Sequence, residues 1–274
     1  MLITRRAAVK GLLATAVGGL TGASTYGVLY ERHRLGVTEA ILPVSGLAPG
    51  LDGLRIGLLT DIHHSSLVPA HDVAQAVDVT MSAKPDLIVL GGDYVSFQDR
   101  KFVEPVAELL SPLDAPCGVF AILGNHDDDR EMPAALARRH ISVLKDQRTR
   151  LTIRGDALEL AGIRFWTRRI SDIARVLKGV EDSVLLLAHD PRRLIEAAAL
   201  GVPGVLSGHT HGGQIVMPAV GALARMRFPV VAGLGRRDNA SIFVSRGVGT
   251  VYVPVRINCP PEVAIVTLRR LSAV

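Results

Sequence analysis

Several strand-length apolar runs in this chain end in the same kind of polar cluster, in which aspartate, histidine or asparagine stands mostly beside glycine. Residues 54–60 lead into Asp61 and His63, for example, and residues 86–93 end in Asp93. The clusters supply eight side chains, in chain order Asp61, His63, Asp93, Asn125, His126, His189, His209 and His211. Glycine beside them allows tight turns and close approach of the backbone to an ion or a phosphate. Because ligand sites in open α/β sheets form at the carboxyl ends of strands, the clusters predict one shared site.

The apolar runs alternate with segments of helical periodicity over most of the chain. Strands are predicted at residues 54–60, 86–93, 118–127, 150–154, 157–166, 183–190 and 204–211, and near the end at 241–247, 250–255 and 262–268. Helices are predicted at residues 69–84, 102–110, 131–140, 171–178 and 192–199. This order favours an α/β fold in which two layered β-sheets form a sandwich core flanked by helices. One domain is expected over residues 54–270, and residues 31–53 are expected to be a linker and lead-in.

The N-terminal 30 residues have the pattern of a targeting signal or membrane anchor rather than of part of the domain. Arg5, Arg6 and Lys10 are followed by an uncharged stretch from Gly11 to Tyr30, whose 20 residues could just cross a bilayer. The basic start resembles a twin-arginine export signal, which implies the twin-arginine export machinery as a partner and an exported protein of the cell envelope. An uncleaved membrane anchor and a removed signal both fit. An ordinary signal sequence or a buried helix is the alternative.

The net charge of +5 is weak evidence for a nucleic-acid partner. Residues 1–30 carry three of these charges, and the rest of the chain has 28 basic and 26 acidic side chains. A nearly neutral body has little to offer a phosphate backbone, so no nucleic acid is expected.

The donor types in the polar clusters indicate metal chemistry. Carboxylate, amide and imidazole donors without thiolate suit Mn²⁺, Zn²⁺, Fe or Ni²⁺, with no clean preference among them. Two competing classes of site are disfavoured, because the sequence has neither the G-x-S-x-G elbow of serine hydrolases nor a nucleotide-binding P-loop.

The order of the clusters resembles the calcineurin-like metallophosphoesterases, whose pattern is D-x-H, G-D, G-N-H-[D/E], H and G-H-x-H. All five pieces occur over residues 61–211, and the fold-level resemblance covers residues 54–270. Three further segments and the N-terminal signal are similar to a membrane-anchored or twin-arginine-exported bacterial branch: GHTHGGQ (208–214), VSRGVGT (244–250) and PVRINCPPE (254–262). The resemblance implies the calcineurin-like fold and an enzyme that hydrolyses phosphoester or phosphoanhydride bonds.

The family roles imply two divalent metal ions. The implied ligands are Asp61, His63 and His211 for one ion, Asn125, His189 and His209 for the other, and Asp93 as the bridge between them. A hydroxide bridging two such ions attacks phosphorus in line, so that no protein nucleophile is needed. Ser96 stands where the purple acid phosphatases carry a tyrosine ligand, three residues after Asp93, so an Fe(III)–tyrosinate site is not expected.

His126 and Asp127 follow the amide ligand and are the implied catalytic pair. The His126 imidazole is expected to serve as general acid or electrostatic partner of the leaving oxygen. Asp127 is expected to orient that ring. A role for Asp127 as a loop cap is the alternative.

Substrate binding is predicted in residues 218–239, which alternate arginine with apolar side chains. The candidate contacts are Arg225, Arg227, Arg236, Arg237 and, from the C-terminal motif, Arg256. Such a segment could bind an anionic head group beside a lipid chain, or it could be a solvated surface loop.

The substrate class remains open among several interpretations. The first is a phosphodiesterase or pyrophosphatase acting on a small-molecule or lipid-linked phosphoester. UDP-diacylglucosamine, which some relatives of this group process, is one option, although that pathway faces the cytoplasm and an export signal points outward. The alternatives are a phosphomonoesterase with the same metal core and a membrane-tethered metal-binding protein without turnover.

Overall fold

A computed structural model describes residues 18–271 apart from residues 20 and 219. The basic start with Arg5, Arg6 and Lys10 therefore lies outside the described residues. Residues 18–19 and 21–29 are helical and form α1. Within the described part of the chain, no helix combines the length and apolar character that crossing a membrane requires.

The strands build two large sheets and one small ribbon. In chain order they are β1 (Gly36–Val44), β2 (Arg55–Leu59), β3 (Leu87–Leu90), β4 (Val119–Ala121), β5 (Ser142–Val143), β6 (Gln147–Ile153), β7 (Asp156–Ile163), β8 (Ser183–Ala188), β9 (Gly204–Ser207), β10 (Val216–Met217), β11 (Gly221–Ala222), β12 (Gly233–Arg237), β13 (Ala240–Val244) and β14 (Glu262–Arg270). The first sheet has the order β1-β14-β2-β3-β4-β5, the second β12-β13-β9-β8-β7-β6, and β10 pairs with β11. Neighbours among β2 to β5 are parallel, as are those among β7, β8, β9 and β13.

Helices flank the two sheets. After α1 they are α2 (Ala70–Ser82), α3 (Val103–Leu110), α4 (Glu131–Ala137), α5 (Ile170–Val176) and α6 (Leu194–Ala199). Short 3-10 turns occur at Glu31–His33, Pro49–Leu51, Arg100–Phe102, Pro191–Arg193, His211–Gly213 and Leu223–Met226. One apolar cluster joins α2, α3 and α4 to the first sheet, and another joins α5 and α6 to the second.

A third apolar cluster lies between the sheets. Leu58 and Val89 of the first sheet share this cluster with Leu185, Leu206 and Phe243 of the second, and all five side chains are buried. Helices outside and apolar side chains between two sheets make the layered α/β sandwich that the sequence predicts.

The prediction that residues 31–53 form a linker is wrong at Gly36–Val44, which form strand β1. This strand pairs with β14 along all nine of its residues, and its Leu42 and Val44 are buried between the sheets. Most of its other side chains are exposed or half-buried because β1 is an edge strand, so its sequence lacks a strong apolar pattern. Pro43 is tolerated there because an edge strand has one unpaired side.

The strand predicted at residues 250–255 is also wrong. The segment is an irregular loop, and Tyr252 has a φ of 64° and a largely exposed ring. Alternation of apolar and polar side chains is a weak signal in a short run that has a proline, Pro254, near its end. α1 packs beside this loop, where the Arg256 amide donates to the Gly27 carbonyl at 3.3 Å.

Candidate metal centre

The eight predicted polar side chains stand on loops that follow β2, β3, β4, β8 and β9. Five of these residues have a left-handed backbone, with φ values of 52° at Asp61, 51° at His63, 58° at Asp93, 72° at His209 and 52° at His211. For a residue other than glycine this conformation costs roughly 1–3 kcal/mol and needs support from its surroundings. The support comes from hydrogen bonds between adjacent loops, as where the Asp61 amide donates to the Gly92 carbonyl at 2.9 Å.

Asp61, His63 and His211 form the first candidate metal-binding cluster. Nε2 of His211 lies 3.1 Å from Nε2 of His63 and 3.4 Å from Oδ1 of Asp61. All three side chains are buried, and each offers a ligand atom within 4.8 Å of the others. One carboxylate oxygen and two imidazole nitrogens thus lie close enough together to share one bound ion.

Asp93, His189 and His209 form the second cluster, with ligand atoms within the same 4.8 Å of one another. Oδ2 of Asp93 lies 3.1 Å from Nε2 of His189. The same oxygen is 3.5 Å from Nε2 of His63, which belongs to the first cluster. A single carboxylate oxygen therefore lies between the two clusters.

Three buried atoms of the candidate ligand residues are unpartnered. Nε2 of His189, Oδ1 of Asn125 and Nδ1 of His211 have no hydrogen-bond partner among the described residues and are shielded from solvent. Leaving a buried polar atom without a partner is costly, so such atoms in a native site call for a ligand. Oxygen and imidazole donors of this kind fit borderline divalent ions, and the donor set matches the chemistry predicted from the sequence.

Burial keeps most of the imidazoles neutral. It lowers the pKa of His63 to about 3 and that of His209 to about 4, and it lowers the pKa of His211 well below its usual range. Metal ions bind the neutral ring, so these three side chains hold free lone pairs at neutral pH.

The field of the carboxylates favours a cation at His189. Burial alone lowers the pKa of this ring, but the carboxylates of Asp93 and Asp61 outweigh it and raise the pKa to about 10. Nδ1 of His189 donates to the Gly91 carbonyl at 2.7 Å, which directs Nε2 into the centre. A proton on Nε2 occupies the position that suits a positive ion.

Two glycines allow the loops to approach the carboxylates. A Cβ on Gly124 would overlap the Asp93 side chain, and a Cβ on Gly208 would overlap Thr60 and Asp61. Both glycines belong to the predicted clusters, and here close approach of backbone to ligand is what they provide.

Residues 54–213 match the family model of the calcineurin-like phosphoesterases, which covers more than half of the chain. The chain belongs to the calcineurin-like phosphoesterase family. It is thus a metallophosphoesterase, as the order of its polar clusters predicts.

The similarity of this phosphoesterase to known proteins extends beyond the matched segment. The chain is 30% identical to the uncharacterized metallophosphoesterase YkuE of Bacillus subtilis. The alignment of 280 residues covers 97% of this chain and 98% of the relative. The chain is 33% identical to the phosphodiesterase YaeI of Escherichia coli. This alignment of 229 residues covers 78% of this chain and 82% of the relative. Among solved structures, a Thermus thermophilus protein covers 72% of this chain and 90% of its own, with a TM-score of 0.51 and 11% identity. This last likeness concerns the fold alone.

His126 of the phosphoesterase lies at the edge of the first cluster. Its ring centroid is 5.0 Å from that of His63, and its Nδ1 accepts a hydrogen bond from the Phe97 amide at 2.9 Å. Because Nδ1 is an acceptor, a neutral ring carries its proton on Nε2. Burial lowers the pKa of His126, which favours this neutral form.

The prediction that Asp127 orients the His126 ring is wrong. The Asp127 carboxylate accepts instead from the amides of Asp93, Tyr94 and Gly124, each at 2.8 Å. Burial and the charge of Asp93 raise its pKa to about 7, against the lowering effect of these three donors. Asp127 is therefore the loop cap of the alternative interpretation, and it ties two ligand loops together.

The prediction of a substrate contact at Arg256 is wrong as well. Its side chain is fully buried, and its guanidinium donates to backbone carbonyls, among them Arg246 at 2.8 Å and Cys259 at 3.1 Å. A guanidinium occupied in this way positions the loop around it and has no free face for a substrate.

The four arginines of residues 218–239 all have exposed side chains: Arg225, Arg227, Arg236 and Arg237. Among the described residues, none of the four forms a hydrogen bond or ion pair with either cluster. Their segment does adjoin the centre, because the Phe228 ring lies 5.4 Å from that of His209. Their contact with substrate stays a prediction.

Aromatic rings around the centre were not predicted. Phe97 and Tyr252 lie 5.1 and 6.1 Å from the His126 ring, and Phe165 lies 5.1 Å from His209. Only 4% of the residues are Phe, Trp or Tyr, so this concentration is notable. The rings come from loops far apart in sequence, and only the tertiary fold brings them together.

Two side chains beside the ligands have roles outside metal binding. Tyr94 is buried, and its hydroxyl donates to the Ile122 carbonyl at 2.9 Å, away from the clusters. His64 is buried too, with its Nδ1 2.9 Å from the Val68 carbonyl.

Proposed function

We propose that this metallophosphoesterase is a phosphodiesterase that works with two divalent metal ions. The observation that carries the proposal is the position of Asp93 Oδ2, 3.5 Å from His63 Nε2 and 3.1 Å from His189 Nε2. A carboxylate oxygen shared by two clusters is the arrangement that a bridging ligand requires. The kinship with YaeI, which is named a phosphodiesterase, favours diester over monoester substrates.

The side chains would be divided between two ions that are Mn²⁺, Zn²⁺, Fe or Ni²⁺. The proposed ligands are Asp61, His63 and His211 for one, Asn125, His189 and His209 for the other, and Asp93 for both. Two ions held in this way supply Lewis-acid stabilisation of phosphoryl oxygens and an activated water. The protein contributes the fixed positions of these ligands and the neutral state of the His63, His209 and His211 imidazoles.

The proposed role of His126 is to donate a hydrogen bond from its neutral ring to the leaving oxygen, as its electrostatic partner. The Phe97 amide fixes the ring through Nδ1 and leaves Nε2 as the donor. The His126 amide donates to Asp93 Oδ1 at 2.8 Å, so the ring stands at a defined distance from the clusters. A donor held in this way can neutralise the charge that develops on an alkoxide.

The natural substrate is proposed to be a small or lipid-linked phosphoester of the cell envelope, UDP-diacylglucosamine being one option. Support comes from the export-like sequence of residues 1–30 and from apolar side chains near the centre, among them Met217 and Val253. Fractionation of cells that produce the full chain tests the location, and a wholly cytoplasmic protein would contradict it.

The proposed activity predicts metal-dependent hydrolysis of a diester. Protein stripped of metal is expected to lose turnover of bis(4-nitrophenyl) phosphate and to regain it with Mn²⁺ or Zn²⁺. 4-Nitrophenyl phosphate, tested in parallel, should react more slowly. Faster turnover of the monoester would indicate a phosphomonoesterase. Two bound ions without turnover of either compound would favour a binding role, and equal turnover before and after metal removal would contradict the mechanism.

The proposed hydrogen bond from His126 to the leaving oxygen predicts that the effect of His126→Ala depends on the leaving group. Nitrophenolate leaves without much help, so the variant should lose about tenfold on the nitrophenyl diester and about a hundredfold or more on an alkyl diester. Metal content is measured by elemental analysis and should stay at the wild-type level. His140→Ala, on the surface after α4, is the matched control. Equal losses on both diesters, with metal retained, would contradict a role of His126 at the leaving oxygen.

A further inference from the structure

A groove of about 440 Å³ opens directly from the two histidine ligands at the end of β9, His209 and His211. This volume falls within the range of about 300–1,000 Å³ that is usual for small-molecule sites. The groove is lined mainly by Gln214, Ile215, Met217, Ala224, Val251 and Val253. Its inner end is therefore made of candidate metal ligands and its walls of apolar side chains.

Two polar side chains of the groove, Gln214 and Thr210, are already engaged, while Tyr252 lines it with a largely exposed ring. The Gln214 amide donates to the carbonyls of Val253 at 2.9 Å and Val251 at 3.3 Å, and its oxygen accepts from the Val251 amide at 3.2 Å. The Thr210 hydroxyl donates to the Val231 carbonyl at 2.6 Å. Among the described residues that line the groove, none carries a carboxylate, an ammonium or a guanidinium. A sugar or a nucleobase would find few partners for its own polar groups here.

The apolar walls are left open to solvent. Ile215 is 37% exposed, Met217 49% and Val253 46%. Gln214 clamps Val251 and Val253 to the turn that carries His211, so the walls are held in place by hydrogen bonds. Binding of a hydrocarbon chain would remove this exposed apolar surface from water, which is the favourable free-energy change that such a groove offers a ligand.

We propose that this groove binds the alkyl or acyl chain of an amphipathic phosphoester whose phosphate lies at the metal centre. The inference rests on the proposed function and names the substrate class of the same site. Because the inner end of the groove consists of His209 and His211, an occupant that fills it is one that also reaches the centre. An anionic phosphate joined to a hydrocarbon chain meets both requirements.

The test uses n-alkyl phosphates, from ethyl to octyl, as inhibitors of bis(4-nitrophenyl) phosphate hydrolysis by the metal-loaded full chain. Below the concentrations at which they form micelles, the inhibition constant should fall about two- to fourfold for each added methylene until the groove is full. An 8-hydroxyoctyl phosphate should lose most of that gain. Met217→Ser should flatten the dependence on chain length, whereas Ile41→Ser, which removes an equally exposed apolar side chain from β1, should leave it unchanged.

Isothermal titration calorimetry of the same alkyl phosphates separates the two proposals, because it requires no turnover. Equal inhibition by all chain lengths, with hydrolysis intact, would overturn the proposal that the groove binds a hydrocarbon chain. The proposed phosphodiesterase activity would be unaffected. An unchanged length dependence in Met217→Ser would overturn the groove proposal as well. Failure to hydrolyse the diester would overturn the proposed function, and the calorimetric series would then still report on the groove.

Discussion

Replacing Asp93 by alanine is expected to lower diester turnover by about a thousandfold or more and to reduce the number of bound divalent ions below two. The carboxylate belongs to the second cluster and lies 3.5 Å from His63 of the first, so its loss is expected to weaken both. Metal-ion stabilisation of the transition state is worth several kcal/mol, and about 4 kcal/mol corresponds to a thousandfold in rate. Elemental analysis after dialysis, together with initial rates, makes the measurement.

Asp93→Asn refines the result, because an amide keeps an acceptor for the His126 amide but loses the negative charge. It should fold with normal stability and bind metal weakly. The control is Asp114→Ala, which removes an exposed carboxylate after α3 and should change neither rate nor metal content. Two tightly bound ions in Asp93→Ala would show that Asp93 does not bridge them.

Replacing Arg256 by alanine is expected to destabilise the protein by about 3–5 kcal/mol, because it leaves several buried carbonyls without a donor and each such group costs about 1–3 kcal/mol. The guanidinium donates to the carbonyls of Arg246, Gly247, Gly249 and Cys259. Their loop in turn bonds the first cluster, as where the Gly249 amide donates to the Asp61 carbonyl at 2.7 Å. Urea unfolding measures the loss, and metal affinity should fall with it.

Arg256→Lys gives a milder test if the alanine variant does not fold. An ammonium can satisfy part of the carbonyl set but lacks the planar fork, so an intermediate loss of stability is expected. Arg237→Ala, at an exposed position in β12, is the control. If the urea midpoint of unfolding were the same for Arg256→Ala and Arg237→Ala, the role of Arg256 in positioning its loop would be contradicted.

The sequence could predict the residues of the two candidate metal-binding clusters because each of them stands next to an apolar strand that can be recognised by itself. Asp61 and His63 follow β2, and Asp93 follows β3 within three residues. The meeting of these loops then follows from the general behaviour of α/β sheets. Local pattern and global fold agree here, so the ligands and the two layers could be inferred together.

Other features depend on contacts that local pattern does not encode. Arg256 and Asp127 have side chains typical of active sites, but their partners are backbone groups of other segments. β1 contributes to the sheet although its exposed side chains hide the period of a strand. Phe97, Phe165 and Tyr252 line the centre only because the two sheets bring distant loops to one side.

The left-handed backbone of five ligand residues links metal affinity to folding. These conformations are held by hydrogen bonds between loops of the folded chain, so the candidate ligands are brought together only in the folded state. A ligand that binds only the native state stabilises it in proportion to the logarithm of its free concentration. A metal ion that binds only the folded chain would accordingly raise the free energy of unfolding of this protein as its free concentration rises.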